Sequence, residues 1–177
     1  HLDDPLSRHL PWFKMHASHT DAPDITIRHL LTHTAGLPRE ADFPYWTNFQ
    51  FPTREQLIHS LPQQEVVYPP ETRFKYSNLG LSLAGEIVAA ISEEPYAHYI
   101  HKHILEPLEM HSTSVVLPAE HRDRLATGYS RFLPGQEREM APFTDLQSLA
   151  PAGNFSSTVE DLVRFAALQF RDDEAGL

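Results

Sequence analysis

The chain has 177 residues, of which 41% are hydrophobic and 21% charged, and 24 acidic against 14 basic side chains give a formal net charge of −10. This size suits one ordinary domain with a sizeable core, and the negative charge disfavours nucleic acid, which is bound through clustered Lys and Arg. The absence of cysteine excludes disulfides, thiolate metal sites and cysteine nucleophiles. No apolar run approaches about eighteen residues, so the sequence predicts no membrane span.

The first half of the sequence predicts short elements with sharp stops, because fifteen prolines stand against only seven glycines. The elements are, in chain order, a helix over residues 2–10 ended by Pro11, a helix capped by Thr26 and running through His33, a helix opened by the Thr53 capping box and terminated by Pro62, and a strand over residues 65–68. Residues 39–52, rich in aromatic residues and proline, are expected to form an ordered loop without regular structure.

The second half predicts the longest helix of the chain, over residues 78–91, where only Ser82 and Glu86 interrupt the larger apolar side chains. A helix that is apolar on almost every face is expected to be buried. The later elements are a helix from Pro95 through Leu105, weaker strands over residues 115–117 and 125–133, and a helix through Leu168 opened by a capping box at residues 157–160. The predicted fold class is therefore mainly α with a few short strands.

Three segments carry a family resemblance when taken in chain order: ITIRHLLTHTAGL at residues 25–37, FKYSNLG at 74–80 and PAGNFSSTVEDL at 151–162. The first resembles the stretch after the nucleophile helix of class C-like β-lactamases and D-Ala-D-Ala carboxypeptidases, and the second is similar to that family's Tyr-x-Asn motif. The third resembles the family's Ala-Gly-Gly-x-x-Ser-Thr-x-Glu-Asp-Leu entry to a helix, while residues 84–87 and 104–110 continue the pattern. Each motif alone is weak, but three in the family's order are specific.

The resemblance implies a helical subdomain of the β-lactamase/transpeptidase-like α/β fold, lacking most of the antiparallel sheet. The family's chemistry needs a Ser-x-x-Lys helix start and a Lys-Thr-Gly or His-x-Gly strand besides Tyr-x-Asn. Neither is present, since no serine is followed three residues later by lysine and no such strand motif follows Tyr76. The chain also begins at His1 without a leader. We therefore expect residues 1–177 to be one domain cut from a longer protein, with the Ser-x-x-Lys segment upstream and the strand downstream.

By resemblance, the catalytic candidates are Tyr76 and Asn78. Tyr76 would act as general base, or as the acid that returns a proton to the leaving group, and Asn78 would orient the family's lysine and hold the substrate's amide carbonyl. A phenol is a poor base near neutral pH unless cations stabilise its phenolate, and the family supplies those cations from the missing lysines. The alternative is structural: a half-buried tyrosine in a turn for Tyr76 and a helix cap for Asn78.

Histidines and one serine offer weaker alternatives. His29 and His33 have the spacing of two zinc ligands on a helix, but no third ligand is apparent, and the histidines at 98, 101 and 103 are better explained as a solvated helix face. The sequence around Ser82 is similar to a nucleophile elbow, yet it falls inside the apolar helix, where the hydroxyl is expected to bond the preceding turn's carbonyl. No metal and no cofactor is predicted.

The predicted function is that of a fragment of a serine hydrolase that cleaves an amide or ester through an acyl-enzyme. The resemblance implies a β-lactam, a D-Ala-D-Ala peptide or a small ester as substrate, a whole protein that is active, and an isolated chain that is inactive. A non-catalytic binding or scaffold module that keeps the fold is the alternative. Self-association through a docking surface left exposed is also expected. The resemblance is compatible with a periplasmic or secreted protein, but the sequence does not fix the compartment.

Overall fold

The computed structural model describes residues 1–19 and 21–170, of which 42% are helical. Eight α-helices are present in this part: α1 Leu6–His9, α2 Ile27–Leu31, α3 Tyr45–Asn48, α4 Arg54–Ser60, α5 Asn78–Ser92, α6 Tyr96–Ile100, α7 Ala150–Gly153 and α8 Val159–Leu168. Shorter helical turns are the 3₁₀ segments Leu61–Gln63, Ala119–Arg124 and Gln147–Leu149, and a π-helical turn, His101–Leu105, continues α6. No described helix is both long and apolar enough to traverse a bilayer.

Side-chain caps explain where α2 and α4 begin. The hydroxyls of Thr26 and Thr53 accept hydrogen bonds from the backbone N–H groups of His29 and Gln56, whose side chains accept from the backbone N–H of the cap. Each pair forms a reciprocal capping box that satisfies otherwise unpaired helix-end donors. The predicted starts of both helices are confirmed, although α2 ends at Leu31, two residues before the predicted His33.

Helix α5 is the centre of the main core, and its predicted position and length are confirmed. Its buried face packs against α1, α2, α6 and α7. Leucines dominate this core, and they are contributed by separate elements of the chain: Leu6, Leu10, Leu30, Leu37, Leu57, Leu61, Leu79, Leu83 and Leu149. Burial is less uniform than predicted, because Ile91 near the end of the helix is exposed. The packed face nevertheless gives the residues at the start of α5 a rigid base.

Two glycines allow close approach of chain segments. Gly36 has φ +70°, a left-handed conformation that other residues adopt at a cost, and a Cβ there would collide with the carbonyl of Tyr68. Gly85 in α5 faces Pro151 of α7, and a Cβ on it would overlap the proline ring. Small residues at these two points therefore fix the turn after α2 and the contact between α5 and α7.

The strand predictions were wrong, because no described residue belongs to a sheet. Residues 65–68, 115–117 and 125–133 contribute only to isolated bridges or lie next to them: His16 with Glu65, Ser114 with Ser156, and Tyr129 with Met140. A strand persists only where a second backbone satisfies its hydrogen bonds over several residues. The prediction of a mainly helical fold without most of the antiparallel sheet is confirmed.

Smaller corrections concern helix ends. The predicted helix over residues 2–10 is one turn, α1, because Pro5 stands before it in an extended conformation. The loop over residues 39–52 contains the turn α3. Thr158, one residue later than the predicted Ser157, is the cap of α8 and accepts from the Asp161 N–H. Pro95 precedes α6 rather than occupying its first position.

The outer face of α8 is apolar and exposed to solvent. Leu162, Val163 and Phe165 are each about half or more exposed, and Phe155, just before the helix, is also exposed. Beneath them lies a cavity of about 330 Å³ lined by apolar side chains of α6, the π-helical turn and α8. A soluble helix usually buries such a face, so this is an apolar surface without a partner among the described residues.

Candidate active site

The Tyr-x-Asn segment lies at the start of α5, with Tyr76 just outside the helix and Asn78 as its first residue. Ser77 between them caps the helix, since its hydroxyl accepts from the Gly80 N–H at 2.8 Å and donates to the Pro38 carbonyl at 2.7 Å. Asn78 is therefore not the cap that its structural alternative required. Its side chain remains available for another role.

Residues 33–40, the stretch after α2, hold this segment through a second set of bonds. The backbone N–H of Asn78 donates to the Arg39 carbonyl at 2.8 Å. The N–H of Ser77 donates to Nδ1 of His33 at 3.2 Å, and the N–H of Lys75 donates to the His33 carbonyl at 2.8 Å. Two family-like motifs far apart in sequence thus form one hydrogen-bonded unit. The backbone of residues 75–78 is fixed from both sides.

Tyr76 is partly exposed, with 43% of its surface accessible. Its ring packs against the His33 imidazole, with 4.6 Å between ring centroids, and the Arg39 guanidinium lies 5.6 Å from the Tyr76 centroid. The ring is thus contacted by His33 and approached by Arg39, while the residue stays open to solvent. A phenol held in this way can exchange a proton with a group that approaches from outside.

Asn78 is almost completely buried, at 8% exposure, and its Nδ2 donates to Oε1 of Glu40 at 2.7 Å. The second carboxylate oxygen of Glu40 accepts from the Tyr45 hydroxyl at 2.6 Å, and Oε1 also receives Nε of Arg39 at 3.3 Å. Burial first, and then the bond to Glu40, raise the pKa of Tyr45 far above its ordinary value. Tyr45 is therefore a permanent donor to this carboxylate.

His29 and His33 make separate structural hydrogen bonds and do not act as a pair. The Nδ1 of His29 accepts from the Thr26 N–H, and its Nε2 lies 2.9 Å from the Glu71 carboxylate. His33 instead faces Ser77 and has φ +57°, a left-handed conformation just after α2. In the part of the chain that the structure describes, no cluster of three His, Cys, Asp or Glu side chains is arranged to hold a metal.

The other weak candidates have ordinary structural roles. Ser82 is fully buried in α5 and its hydroxyl donates to the Asn78 carbonyl at 3.1 Å, as predicted. His98 and His103 surround the carboxylate of Glu94, at 2.7 and 3.2 Å. The pKa of Glu94 is lowered to about 2, chiefly by its hydrogen bond from Lys102 and then by the one from His103. This is an ion-pair cluster at the surface, in which the histidine and lysine side chains are exposed around a partly buried carboxylate.

Glu40, Tyr45 and the role of His33 toward Ser77 were missed at the sequence level. Each contact between residues 33–40 and 76–78 joins positions about forty apart, and no periodicity or spacing reports such a pairing. The signal that could have indicated it is the co-occurrence of the two motifs themselves. Tyr76 lies at the surface, whereas Asn78 is buried behind it in the chain, at the first turn of α5.

Comparison with known proteins identifies the scaffold. The family model described as Beta-lactamase matches residues 1–176. D-alanyl-D-alanine-carboxypeptidase/endopeptidase AmpH of Escherichia coli K12 is 30% identical over 166 residues, which is 93% of this chain and 41% of that protein. Beta-lactamase-like protein 2 of Dictyostelium discoideum is also 30% identical over 166 residues, covering 93% of this chain and 30% of the relative.

Among solved structures, the β-lactamase/D-alanine carboxypeptidase of Yersinia pestis superimposes with a TM-score of 0.73 at 30% identity, covering 93% of this chain and 45% of that one. The chain therefore belongs to the β-lactamase family. Its fold is the helical part of a β-lactamase/transpeptidase fold, and its relatives include carboxypeptidases and other hydrolases. The chain spans well under half the length of the curated relatives named above.

Proposed function

We propose that this chain is the central helical part of a longer serine hydrolase that cleaves an amide or ester through an acyl-enzyme. Relatives described as carboxypeptidases and β-lactamases support a hydrolase of this kind. By the same resemblance, the substrate is a β-lactam, a D-Ala-D-Ala peptide or a small ester. The Ser-x-x-Lys segment upstream would supply the nucleophile, and the Lys-Thr-Gly or His-x-Gly strand downstream would close the site.

The observation that carries the proposal is the arrangement of Tyr76 and Asn78. Acyl transfer needs a group that moves the proton between nucleophile and leaving group, and this group must be held in a defined position. Tyr76 is half-exposed on a backbone fixed by His33, while the neighbouring amide of Asn78 is held by Glu40. In this proposal Tyr76 is the general base and acid. Asn78 orients the lysine through Oδ1 and holds the substrate's carbonyl through the Nδ2 hydrogen that is not donated to Glu40.

The isolated chain is proposed to be inactive. Its serines are never followed three residues later by lysine, and Ser82, the one serine in an elbow-like sequence, is buried. A hydrolase of this type without its nucleophile retains no acylation step. Tyr76 and Asn78 would then form part of an active site. That site would become functional only when the Ser-x-x-Lys segment and the downstream strand pack beside them.

Active-site labelling tests this proposal directly. The full-length protein and the 177-residue chain are each incubated with a fluorescent penicillin and with a fluorophosphonate. Covalent labelling of the full-length protein by at least one reagent, and of the chain by neither, is the expected result. Labelling of the isolated 177-residue chain by either reagent would contradict the proposal. Failure of both reagents to label the full-length protein would also contradict it.

A non-catalytic binding or scaffold module is the second candidate, favoured by the exposed apolar face of α8. The sequence upstream of His1 separates the two candidates, because an enzyme requires Ser-x-x-Lys there and a scaffold does not. The pair Tyr76 and Asn78 favours the enzyme. A scaffold has no need of a half-exposed phenol two residues before a buried amide that is held by a carboxylate.

The same face of α8 leads us to expect self-association of the isolated chain. Apolar patches of this kind are normally covered by a partner, and Leu162, Val163 and Phe165 are exposed together. Light scattering of the chain should show dimers or larger species at high concentration, and Leu162→Asp should reduce them by placing a charge in the patch. A monodisperse monomer at high concentration would contradict the expectation.

A further inference from the structure

The carboxylate of Glu40 holds the amide of Asn78 in one of its two orientations. Oε1 of Glu40 can only accept hydrogen bonds, so the Asn78 atom 2.7 Å away must be the donor Nδ2 rather than the carbonyl Oδ1. A bond between an amide donor and a charged acceptor is stronger than one between neutral groups. The amide of Asn78 is therefore oriented by its neighbour as well as by packing.

The orientation of Asn78 determines what the site can bind. With Nδ2 bonded to Glu40, Oδ1 accepts no hydrogen bond from any described residue and is not sealed from solvent. An oxygen in this position can accept a hydrogen bond from an ammonium or amide N–H that approaches it from outside. A reversed amide would present NH₂ at the same point and repel the same ammonium.

Glu40 is itself fixed from the core side. Its Oε2 accepts from the Tyr45 hydroxyl at 2.6 Å, and Tyr45 is fully buried, stacked on Phe51 with 4.7 Å between ring centroids. Arg39 lies on its outer side, with Nε 3.3 Å from Oε1. The carboxylate thus connects the rigid aromatic core to the amide at the start of α5, and little freedom remains for it to turn away.

We propose that Glu40 is a positioning residue, which acts on catalysis by orienting the Asn78 amide so that Oδ1 faces the reacting groups. The inference rests on the proposed function, because it assumes that Asn78 serves an acyl-transfer site. Glu40 contacts neither nucleophile nor substrate in this account. Its effect passes through a single hydrogen bond.

The test measures the acylation rate of the full-length protein with the reagent that labels wild type. Glu40→Ala should slow acylation about 10-fold or more, since misplacement of one oriented group has effects of this order. In an Asn78→Ala background the same substitution should change the rate less than about twofold, because the group through which Glu40 acts is gone. Glu40→Gln keeps an oxygen for the Asn78 amide and should lose less than Glu40→Ala.

Tyr45→Phe is the matched control for a merely structural role. It removes the Tyr45–Glu40 bond, as Glu40→Ala does, but leaves the Glu40–Asn78 bond in place. Glu40→Ala should lower the melting temperature more than Tyr45→Phe, because it also breaks the bond to Asn78 and leaves the buried Tyr45 hydroxyl without its acceptor. Only a small part of the rate loss of Glu40→Ala should appear in Tyr45→Phe. If Glu40→Ala does not fold, the comparison of Glu40→Gln with Tyr45→Phe, again with and without Asn78→Ala, decides the question.

Three results would overturn the inference. Equal rate losses from Glu40→Ala with and without Asn78→Ala would mean that Glu40 does not act through the amide. A rate loss in Tyr45→Phe that matches Glu40→Ala would assign the effect to folding. Failure of both reagents to label the wild-type protein would contradict the proposed function, and this inference with it. That result needs no variant, so it is distinguishable from the other two.

Discussion

Around α5, buried leucines and long-range hydrogen bonds hold residues 75–78, whereas α8 presents Leu162, Val163 and Phe165 to solvent. Both regions have the hydrophobic content of packed helices. The difference is that the partners of α5 lie within the described chain, while α8 has an apolar face that none of the described residues covers. The comparison indicates that the described chain itself supplies the packing of the first region, and we expect a partner to cover the second.

This contrast predicts unequal costs for the same substitution. Leu83→Ala in α5 removes a side chain with no exposed surface and should lower the free energy of unfolding by about 2–5 kcal/mol, because it leaves a cavity. Leu162→Ala in α8 alters a side chain that is 55% exposed and should cost less than about 0.5 kcal/mol. Urea unfolding of both variants measures the difference. Similar losses would contradict the assignment of α8 as an unpartnered face.

The turn that brings residues 33–40 to the site gives a second matched pair. Gly36→Ala combines a left-handed φ with a collision at the Tyr68 carbonyl, where Gly36 also accepts the N–H groups of Val67 and Tyr68. We expect a loss of about 2–4 kcal/mol in unfolding free energy. Gly135→Ala has a similar φ of +80° but meets no atom within 4 Å, so only the backbone cost of about 1 kcal/mol should remain. Equal losses would show that the close approach is unimportant.

The hydrogen bond from buried Tyr45 to the partly buried carboxylate of Glu40 predicts a smaller, pH-dependent effect. The pKa of Tyr45 is raised in the folded chain, so above about pH 10 the unfolded chain releases the phenolic proton while the folded chain retains it. Stability from this group is therefore fully present below pH 10 and declines above it, by at most about 1.4 kcal/mol per pH unit. Tyr45→Phe should lack this decline in the free energy of unfolding above pH 10, because it has no phenolic proton to release. Urea unfolding at several pH values checks it, and parallel profiles for the two proteins would contradict it.

Much of the fold was predictable where the signal is local. Thr53 indicates a helix start through the capping-box pattern that Gln56 completes, and Thr26 does so as a cap residue alone. Helix α5 follows from its run of apolar side chains. The strand predictions were wrong because strand formation depends on a signal that is not local. Residues 115–117 and 125–133 have β-forming side chains, but a strand is defined by a neighbouring backbone, and the described chain offers only isolated bridges.

The candidate site divides in the same way. Tyr76 and Asn78 came from a motif of three residues, and the structure adds that Ser77, not Asn78, is the helix cap. Glu40 and His33 could not be assigned to the site, because their contacts with residues 77 and 78 depend on how α2 packs against α5. Local patterns indicate which residues carry chemistry. Tertiary packing determines what orients them.

The central claim is that Tyr76 transfers the proton in acyl transfer. Its most direct test is the rate of acylation of full-length protein carrying Tyr76→Phe, with Tyr129→Phe, another half-exposed tyrosine, as the control. We predict a loss of about 100-fold or more for Tyr76→Phe, in the range of general acid–base catalysis, an unchanged melting temperature, and no effect of Tyr129→Phe. A folded Tyr76→Phe variant that acylates within about threefold of wild type would contradict the claim.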